Sequence, residues 1–560
     1  MDLRNINGPQ SLGEFDVIVI GGGITGAGTA RDCATRGLRV LLVERFDFTY
    51  GATGRNHGLM HSGARYAVTD RDNAAECMRE NLILRRIARH CVEETDGLFL
   101  SLPEDDLAYQ ATFVDACRRA GIRADVIDPE EARRLEPSVN PLITGAVRVP
   151  DASIDPFRLT TANVVDARRH GAVIHTFHEV IGFLMSNGRV EGVTLRDNHT
   201  GAVKEARAGV TINAAGIWGT LILRKAGITL GMLPAKGALL IFGNRVNNMV
   251  INRCRLPANG DILVPDDTIC VLGTTSERVP IDTIDDMRVS PAEIDLLLTE
   301  GQKLVPRLAT ARVLRAYAGV RPLVASDDDP TGRSISRGIV LIDHAERDGA
   351  EGLITITGGK MMTYRLMGEV ATDLACKKLG RTAPCTTATT PLPGSEPEKQ
   401  RKPKTGYDMG HRAAEGRHGN IFAARRDASP DDNALVCECE QVSVGEIRFA
   451  INKLNVNNLL NLRRRTRVGM GACQGKLCAC RASTLLCRFK GEADRNLVEL
   501  AEFMNERWKG MRPVAWGNTL SEAQITASIY ADLCGLDTVA QRPDQDNDNS
   551  SHDKEEEKEA

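Results

Sequence analysis

Apolar residues fall in short runs closed by glycine, and three of these runs organise the chain. Val17-Ile-Val-Ile20 leads into Gly21-Gly-Gly-Ile-Thr-Gly26, then an Arg/Ala-rich segment, then Leu38-Arg-Val-Leu-Leu-Val43 and the acid Glu44. The pattern predicts strand, tight turn, helix and second strand, the first βαβ unit of a Rossmann-like sheet. Gly209-Val-Thr-Ile-Asn-Ala-Ala-Gly216 and Gly352-Leu-Ile-Thr-Ile-Thr-Gly-Gly359 repeat the strand-to-glycine pattern, with a helix beginning near Thr363. All three junctions are expected at the carboxyl ends of one parallel sheet, with residues 60–205 and 220–345 supplying a second, substrate-facing layer.

This α/β region spans 15–390. A Pro- and Lys-rich stretch without apolar periodicity follows and reads as a linker over 391–432. A small cysteine-bearing domain is expected over 433–488, a helical segment over 489–540, and an acidic disordered tail over 541–560.

The glycines carry the first chemistry. Gly21, Gly23 and Gly26 fit G-x-G-x-x-G, which allows a tight turn, close approach of a pyrophosphate to backbone, and close packing of helix on strand. The helix N-terminus offers free N–H groups to phosphate. Glu44 stands where a carboxylate accepts hydrogen bonds from ribose hydroxyls. By itself this predicts a dinucleotide, nicotinamide or flavin.

Composition narrows the class. With 560 residues, 42% apolar and 26% charged, the chain reads as a soluble multidomain protein. The net charge of −3 conceals a tail from Asp544 with eight acids against two lysines, leaving the rest slightly positive. No nucleic-acid partner is expected. The sequence has no apolar run of the length a spanning helix needs and no signal-peptide pattern, so residence in the cytoplasm is expected. Fifteen cysteines in a reducing compartment then point to ligands and buried thiols.

Four of those thiols are grouped. Cys437-Glu-Cys439 is followed after 33 residues by Cys473-Gln-Gly-Lys-Leu-Cys478, with Cys480 just beyond. Such a set can surround zinc or an iron-sulfur cluster. The C-x-C pair is tight for one tetrahedral ion and natural across two irons, and Gly469, Gly471 and Gly475 suit a loop whose N–H groups face sulfur. The expected ligands are Cys437, Cys439, Cys473 and Cys478, with Cys480 the rival for the last place. The other cysteines, isolated in sequence, are expected to pack as small hydrophobes. Beside the cluster, the basic run Arg463-Arg-Arg-Thr-Arg467 is expected on a solvated face or as a docking surface for an acidic partner or anionic membrane. Cys-Glu-Cys with Thr466-Arg-Val-Gly-Met-Gly-Ala-Cys-Gln-Gly resembles the bacterioferritin-associated-ferredoxin-like [2Fe-2S] module, whose last pair is commonly C-x-x-C where this chain has C-x4-C.

The substrate side is cationic. Arg55-Asn-His-Gly-Leu-Met-His61-Ser-Gly-Ala-Arg65-Tyr66 brings two histidines to the loop after the second strand, as general bases or as donors to a cofactor ring. Arg321 in Tyr317-Ala-Gly-Val-Arg-Pro-Leu, Arg337 in Ile335-Ser-Arg-Gly, and Lys360 add positive charge suited to a small anionic substrate.

Together with Gly51-Ala-Thr-Gly54 and Thr357-Gly-Gly-Lys-Met-Met-Thr-Tyr-Arg365, these motifs resemble the FAD-dependent glycerol-3-phosphate dehydrogenases, and the appended cysteine module resembles their anaerobic bacterial members. The resemblance implies a D-amino-acid-oxidase-like fold with an inserted β-rich substrate domain and a small C-terminal α domain. It implies FAD held along Gly21, Gly23, Gly26, Glu44, Arg45, Thr53, His57, Ala215, Gly216, Gly358 and Gly359. It further implies catalysis by His61, Arg321 and Lys360, with His57 the rival base, and substrate binding by Tyr66, Arg321, Arg337 and Lys360.

The expected reaction oxidises sn-glycerol 3-phosphate to dihydroxyacetone phosphate in anaerobic respiration. Implied partners are quinone, a second flavoprotein subunit, and a membrane-anchoring iron-sulfur subunit, with FMN a candidate flavin of the assembled complex. The location implied is the cytoplasmic face of the inner membrane, peripheral through partners. Rival readings are an amine or imino-acid dehydrogenase (sarcosine- or proline-type), and a flavin-bearing scaffold subunit with structural zinc.

Overall fold

A computed structural model describes residues 9–324, 338–396, 409–423 and 430–536. Its first sheet is built on the strands predicted from the glycine-closed runs. Gln10–Ile20 pairs in parallel with Val40–Val43 on one side and Val203–Asn213 on the other, and Leu353–Gly358 pairs in parallel with Val203–Asn213. The three strand-to-glycine junctions therefore lie side by side at one sheet edge. These strands read as continuous apolar runs because both faces are covered. Val17, Val19, Leu42, Ile212 and Ile354 pack against helices, while Ile18, Ile20, Leu41 and Val43 meet Val180, Val193 and Leu195 on the opposite face.

Helices Ile24–Thr35, Pro156–Arg169 and Tyr364–Lys378 cover the sheet. The last begins one residue from its predicted start. Pro156–Arg169 has Pro at its first position, and Asp155 Oδ1 accepts from the Phe157 and Arg158 amides, a standard way to satisfy the free N–H groups of a helix start.

The second layer is a nine-stranded, largely antiparallel sheet. At its centre Met232–Phe242 runs against Val313–Val324, with Gly237 opposite Gly319 and Ala235 opposite Arg321. Leu98, Leu100, Leu240, Phe242, Leu263, Leu272 and Leu297 fill its core.

The C-terminal part is helical, with helices Val444–Lys453, Leu459–Thr466, Ala479–Lys490, Asn496–Met511 and Gly517–Ser528. Val436, Ile447, Leu462, Val468, Leu486, Leu500, Phe503 and Tyr530 share one core. The stretch read as a linker contains helices Met409–His418 and Asn420–Ala423, whose Ala414 and Phe422 enter that same core. The C-terminal helices also reach the substrate layer: Val514 joins its core, and Thr519 Oγ1 donates to the Val313 carbonyl at 2.9 Å.

The basic run Arg463–Arg467 differs from expectation. Arg465 and Arg467 are buried at 3% and 4% exposure. Arg464 and Arg465 hold Asp47 at 2.9 and 2.6 Å, and Arg467 holds Glu440 at 2.8 Å. A run of like charges is ordinarily solvated, but here acids distant in sequence fold against it and neutralise it inside.

Candidate functional site

One cavity of about 830 Å³ opens at the three glycine junctions, between the two sheets. Gly21, Gly23, Glu44, Arg45, Thr53, His57, His61, Tyr66, Ala215, Gly216, Arg321, Gly358, Gly359 and Lys360 all line it. Gly26 stands behind the lining. A Cβ there would sit 1.9 Å from the Gly21 carbonyl oxygen, so Gly26 acts by letting helix and turn touch. Gly21 itself has φ +110°, in the region that favours glycine. Arg337 lies outside the described residues.

At the glycine-loop end, Glu44 is fixed by two amides: Gly22 N–H donates to Oε2 at 2.6 Å and Phe46 N–H to Oε1 at 2.8 Å. Burial pushes its carboxyl up, and those amides oppose the shift. Thr53 Oγ1 accepts from the Ile24 amide at 3.1 Å, tying the Gly51–Gly54 turn to the helix start. Arg45 is turned to Asp285 at 2.6 Å and lies over the Phe46 and Trp218 rings. A helix start that opens on the cleft, with a carboxylate beside it, fits the pyrophosphate and ribose of a dinucleotide.

The other end of the cavity is cationic and titratable. The His57 and His61 rings lie 6.0 Å apart and the His61 and Tyr66 rings 5.5 Å apart, both edge to face. Leu59 N–H donates to His57 Nδ1 at 3.2 Å, which leaves the proton of a neutral His57 ring on Nε2. Lys360 Nζ stands 4.4 Å from the Tyr66 ring centroid. Arg321 donates to Thr274 Oγ1 at 2.5 Å and to the Thr275 carbonyl at 3.1 Å.

Asn73 and Thr274 line the cavity and position Lys360 and Arg321. Sequence reading did not single them out, since each is one polar residue far in sequence from the cation it holds.

The four grouped thiols meet in the C-terminal core. The Cys478 thiol hydrogen-bonds Cys437 and Cys473, and Cys473 contacts Cys439. The Cys473 thiol is lowered to about 5, first by the hydrogen bond from Cys478, then by the Leu477 and Gly475 amides against the opposing effect of burial. The Cys437 thiol is lowered by Cys478 and by the Gly469 and Glu440 amides, while burial raises Cys439 to about 11. N–H groups directed at sulfur fit thiolates that ligate an iron-sulfur cluster. Among the described residues no three His, Cys, Asp or Glu side chains are gathered as the ligands of a single metal ion. Cys480 contacts Cys534.

Comparison with known proteins decides the family. Residues 16–365 match the FAD dependent oxidoreductase family and residues 435–487 the BFD-like [2Fe-2S] binding domain. The chain is 59% identical to an anaerobic glycerol-3-phosphate dehydrogenase subunit of Escherichia coli K12, over 93% of this chain and 97% of that one. The chain belongs to this family of anaerobic glycerol-3-phosphate dehydrogenase subunits. The family's member from Haloferax volcanii is 42% identical over 96% of this chain and 93% of its own. The structure of the glycerol-3-phosphate dehydrogenase from Bacillus halodurans complexed with FAD superposes with a TM-score of 0.62 at 21% identity, covering 90% of this chain and 97% of that one. That last likeness shows the fold. As a member of the anaerobic dehydrogenase family the chain is a flavoprotein oxidoreductase, with FAD in the first matched domain and a [2Fe-2S] cluster in the second.

Proposed function

We propose that the chain oxidises the C2 alcohol of sn-glycerol 3-phosphate to the ketone of dihydroxyacetone phosphate and delivers the electrons, by way of an iron-sulfur partner, to membrane quinone. The observation that carries this reading is the 59% identity, nearly end to end, with a subunit of an anaerobic glycerol-3-phosphate dehydrogenase. The cationic end of the cavity supports it, since Arg321 and Lys360 line the same space as His61 and Tyr66.

The helix start behind the Gly21–Gly26 turn, the Glu44 carboxylate and the turn at Thr53 hold FAD, with Arg45, His57, Ala215, Gly216, Gly358 and Gly359 around it. When bound, FAD would supply the acceptor for the C2 hydride and the [2Fe-2S] cluster a one-electron carrier. Arg321 grips the phosphate, its planar fork exchanging the Thr274 and Thr275 oxygens for phosphate oxygens. Lys360 stabilises the negative charge that develops as the C2 hydroxyl loses its proton, a charge-assisted contact of about 1.5–3 kcal/mol. His61 takes that proton. With its proton on Nε2, His57 serves as a hydrogen-bond donor, which favours His61 as the base. Tyr66 orients His61 and Lys360 by ring contact. Cys437, Cys439, Cys473 and Cys478 are the proposed cluster ligands.

Among the described residues no helix is long and apolar enough to cross a membrane. Attachment to the cytoplasmic face through a second flavoprotein subunit, which could carry FMN, and through an anchoring iron-sulfur subunit belongs to the same proposal.

The test is the anaerobic absorption spectrum of the purified holoprotein with sn-glycerol 3-phosphate, sarcosine or proline. Bleaching of the flavin band by the phosphate ester alone is expected, with iron and no zinc by metal analysis. Bleaching by sarcosine or proline alone would replace the reading with an amine or imino-acid dehydrogenase.

A further inference from the structure

Between the cysteine loop and the flavin layer the fold buries an arginine that the reaction above does not use. Arg467 follows directly on helix Leu459–Thr466 and adopts φ +66°, a backbone region where glycine is the ordinary occupant at a helix end. A side chain kept at such a position is a pointer to function.

The side chain reaches across the domain boundary. Its guanidinium lies 2.8 Å from Glu440, the residue after Cys439, 3.0 Å from Asp266, 3.3 Å from Asp267 and 3.5 Å from Asp155. Arg158 shares Asp155 and Asp267. Asp155 uses Oδ1 to cap its helix and turns Oδ2 to Arg467. The residue before it, Ile154, donates its amide to the Gly58 carbonyl at 2.7 Å, and its strand pairs with Leu59–Met60. One run of contacts thus joins Cys439, through Glu440, Arg467 and Asp155, to the loop that carries His57 and His61.

A second contact lies parallel to it. Asp47, three residues beyond Glu44, is gripped by Arg465, whose guanidinium covers the Phe48 ring at 5.1 Å. Phe48 packs under the glycine loop, where a Cβ on Gly22 would stand 3.0 Å from it.

Buried ion pairs add little net stability over apolar packing of the same volume, and fixing one register is the best-attested use of those that are kept. We infer that Arg467 is a positioning residue for electron transfer inside this chain, holding the cysteine loop against the His57–His61 loop so that substrate electrons pass singly into the chain's own cluster. This rests on the proposed function. Each alcohol oxidised gives up its O–H proton to the base and its C–H hydrogen as hydride with two electrons. The pair then leaves in two one-electron steps, each completed when an external one-electron acceptor reoxidises the cluster, and the remaining proton is released to water.

The test uses the holoenzyme with Arg467→Gly, which suits the backbone, Arg467→Lys, which restores a cation, and Asp155→Asn, which keeps the helix cap. After anaerobic mixing with sn-glycerol 3-phosphate, flavin bleaching is followed by stopped flow and the reduced cluster by freeze-quench electron paramagnetic resonance. Bleaching within twofold of wild type is expected throughout. Cluster reduction should slow at least tenfold in Arg467→Gly, severalfold in Asp155→Asn, and recover in part in Arg467→Lys. Hydrogen exchange of the cofactor-free protein should quicken in 437–441 in Arg467→Gly.

Wild-type cluster reduction in both Arg467→Gly and Asp155→Asn overturns the inference, as does bleaching slowed in parallel with cluster reduction in every variant. If Arg467→Gly fails to fold, Asp155→Asn decides alone. If the substrate bleaches no protein, wild type included, the functional reading has failed instead, and unchanged exchange at 437–441 then overturns the positioning role.

Discussion

Lys360 Nζ donates to the side-chain oxygen of Asn73 at 2.5 Å, joining the glycine junction of the last sheet strand to the helix Arg71–Ile87. The two residues are 287 positions apart in sequence. A lysine is a flexible cation with three donors, and one bond to Asn73 together with the Tyr66 ring restricts it to the cationic end of the cavity.

Lys360→Met should therefore lower kcat/KM for sn-glycerol 3-phosphate at least tenfold, about 1.4 kcal/mol, with FAD still bound. Asn73→Leu should give a smaller loss in the same direction, because the cation remains and only its aim is lost. Steady-state kinetics beside the flavin absorption spectrum check both. Full activity in Lys360→Met would remove it from the site.

Arg321 occupies space that glycine leaves open. A Cβ at Gly237 would stand 2.6 Å from its Nη2, and Gly237 is opposite Gly319 in the strand pair. Arg321→Ala is expected to lower kcat/KM at least tenfold with FAD retained, and Gly237→Ala to do the same by displacing the guanidinium. Arg321→Lys should recover little, since an ammonium does not reproduce a planar fork. Unchanged kinetics in Arg321→Ala would exclude it from phosphate binding.

What could be read in the sequence divides by the range of the signal. The segment from Val17 to Glu44 is legible because strand, glycine turn, helix and acid are contiguous and both sheet faces are buried, so every element leaves a local trace. The convergence of Ala215-Gly216 with Gly358-Gly359 follows from the same trace repeated twice more. Arg465 and Arg467 are not legible: a run of arginines looks solvated until Asp47, Asp155 and Asp266 fold against it. Helices Met409–His418 and Asn420–Ala423 escape notice for a related reason, since the first is polar and buries Arg417 and His418 beside Ala414, and the second is a single short turn that places Phe422 in the core.

The last cluster ligand can be settled chemically. Cys478 is buried against Cys437 and Cys473, whereas Cys480 meets Cys534. Cys478→Ser should lose the cluster's visible absorption and most of its iron, and Cys480→Ser should keep both. Cys439→Ser should leave substrate-driven flavin bleaching intact while transfer to a quinone analogue stops. Iron retained in Cys478→Ser and lost in Cys480→Ser would exchange the two assignments.

Acid sensitivity should arise in part from His90. Its Nδ1 lies 2.7 Å from Ser395 Oγ and its Nε2 3.4 Å from Cys91 Sγ, inside a seam where the chain after Pro391 returns to the first domain. Burial first, then the positive charges of Arg158 and His418, lower it from 6.5 to about 4, against the opposing acids Glu396 and Asp155. The native state thus holds this ring neutral where the unfolded chain binds a proton. Its contribution to stability is complete above pH 6.5 and is lost as pH falls from 6.5 through 4. At pH 5 the loss is about 2 kcal/mol by linkage. His90→Gln keeps a partner for Ser395 and cannot titrate. Between pH 7.5 and 5, urea unfolding of the wild-type chain should lose about 2 kcal/mol more than the variant does, whereas equal losses in the two proteins would show that His90 is not the group responsible.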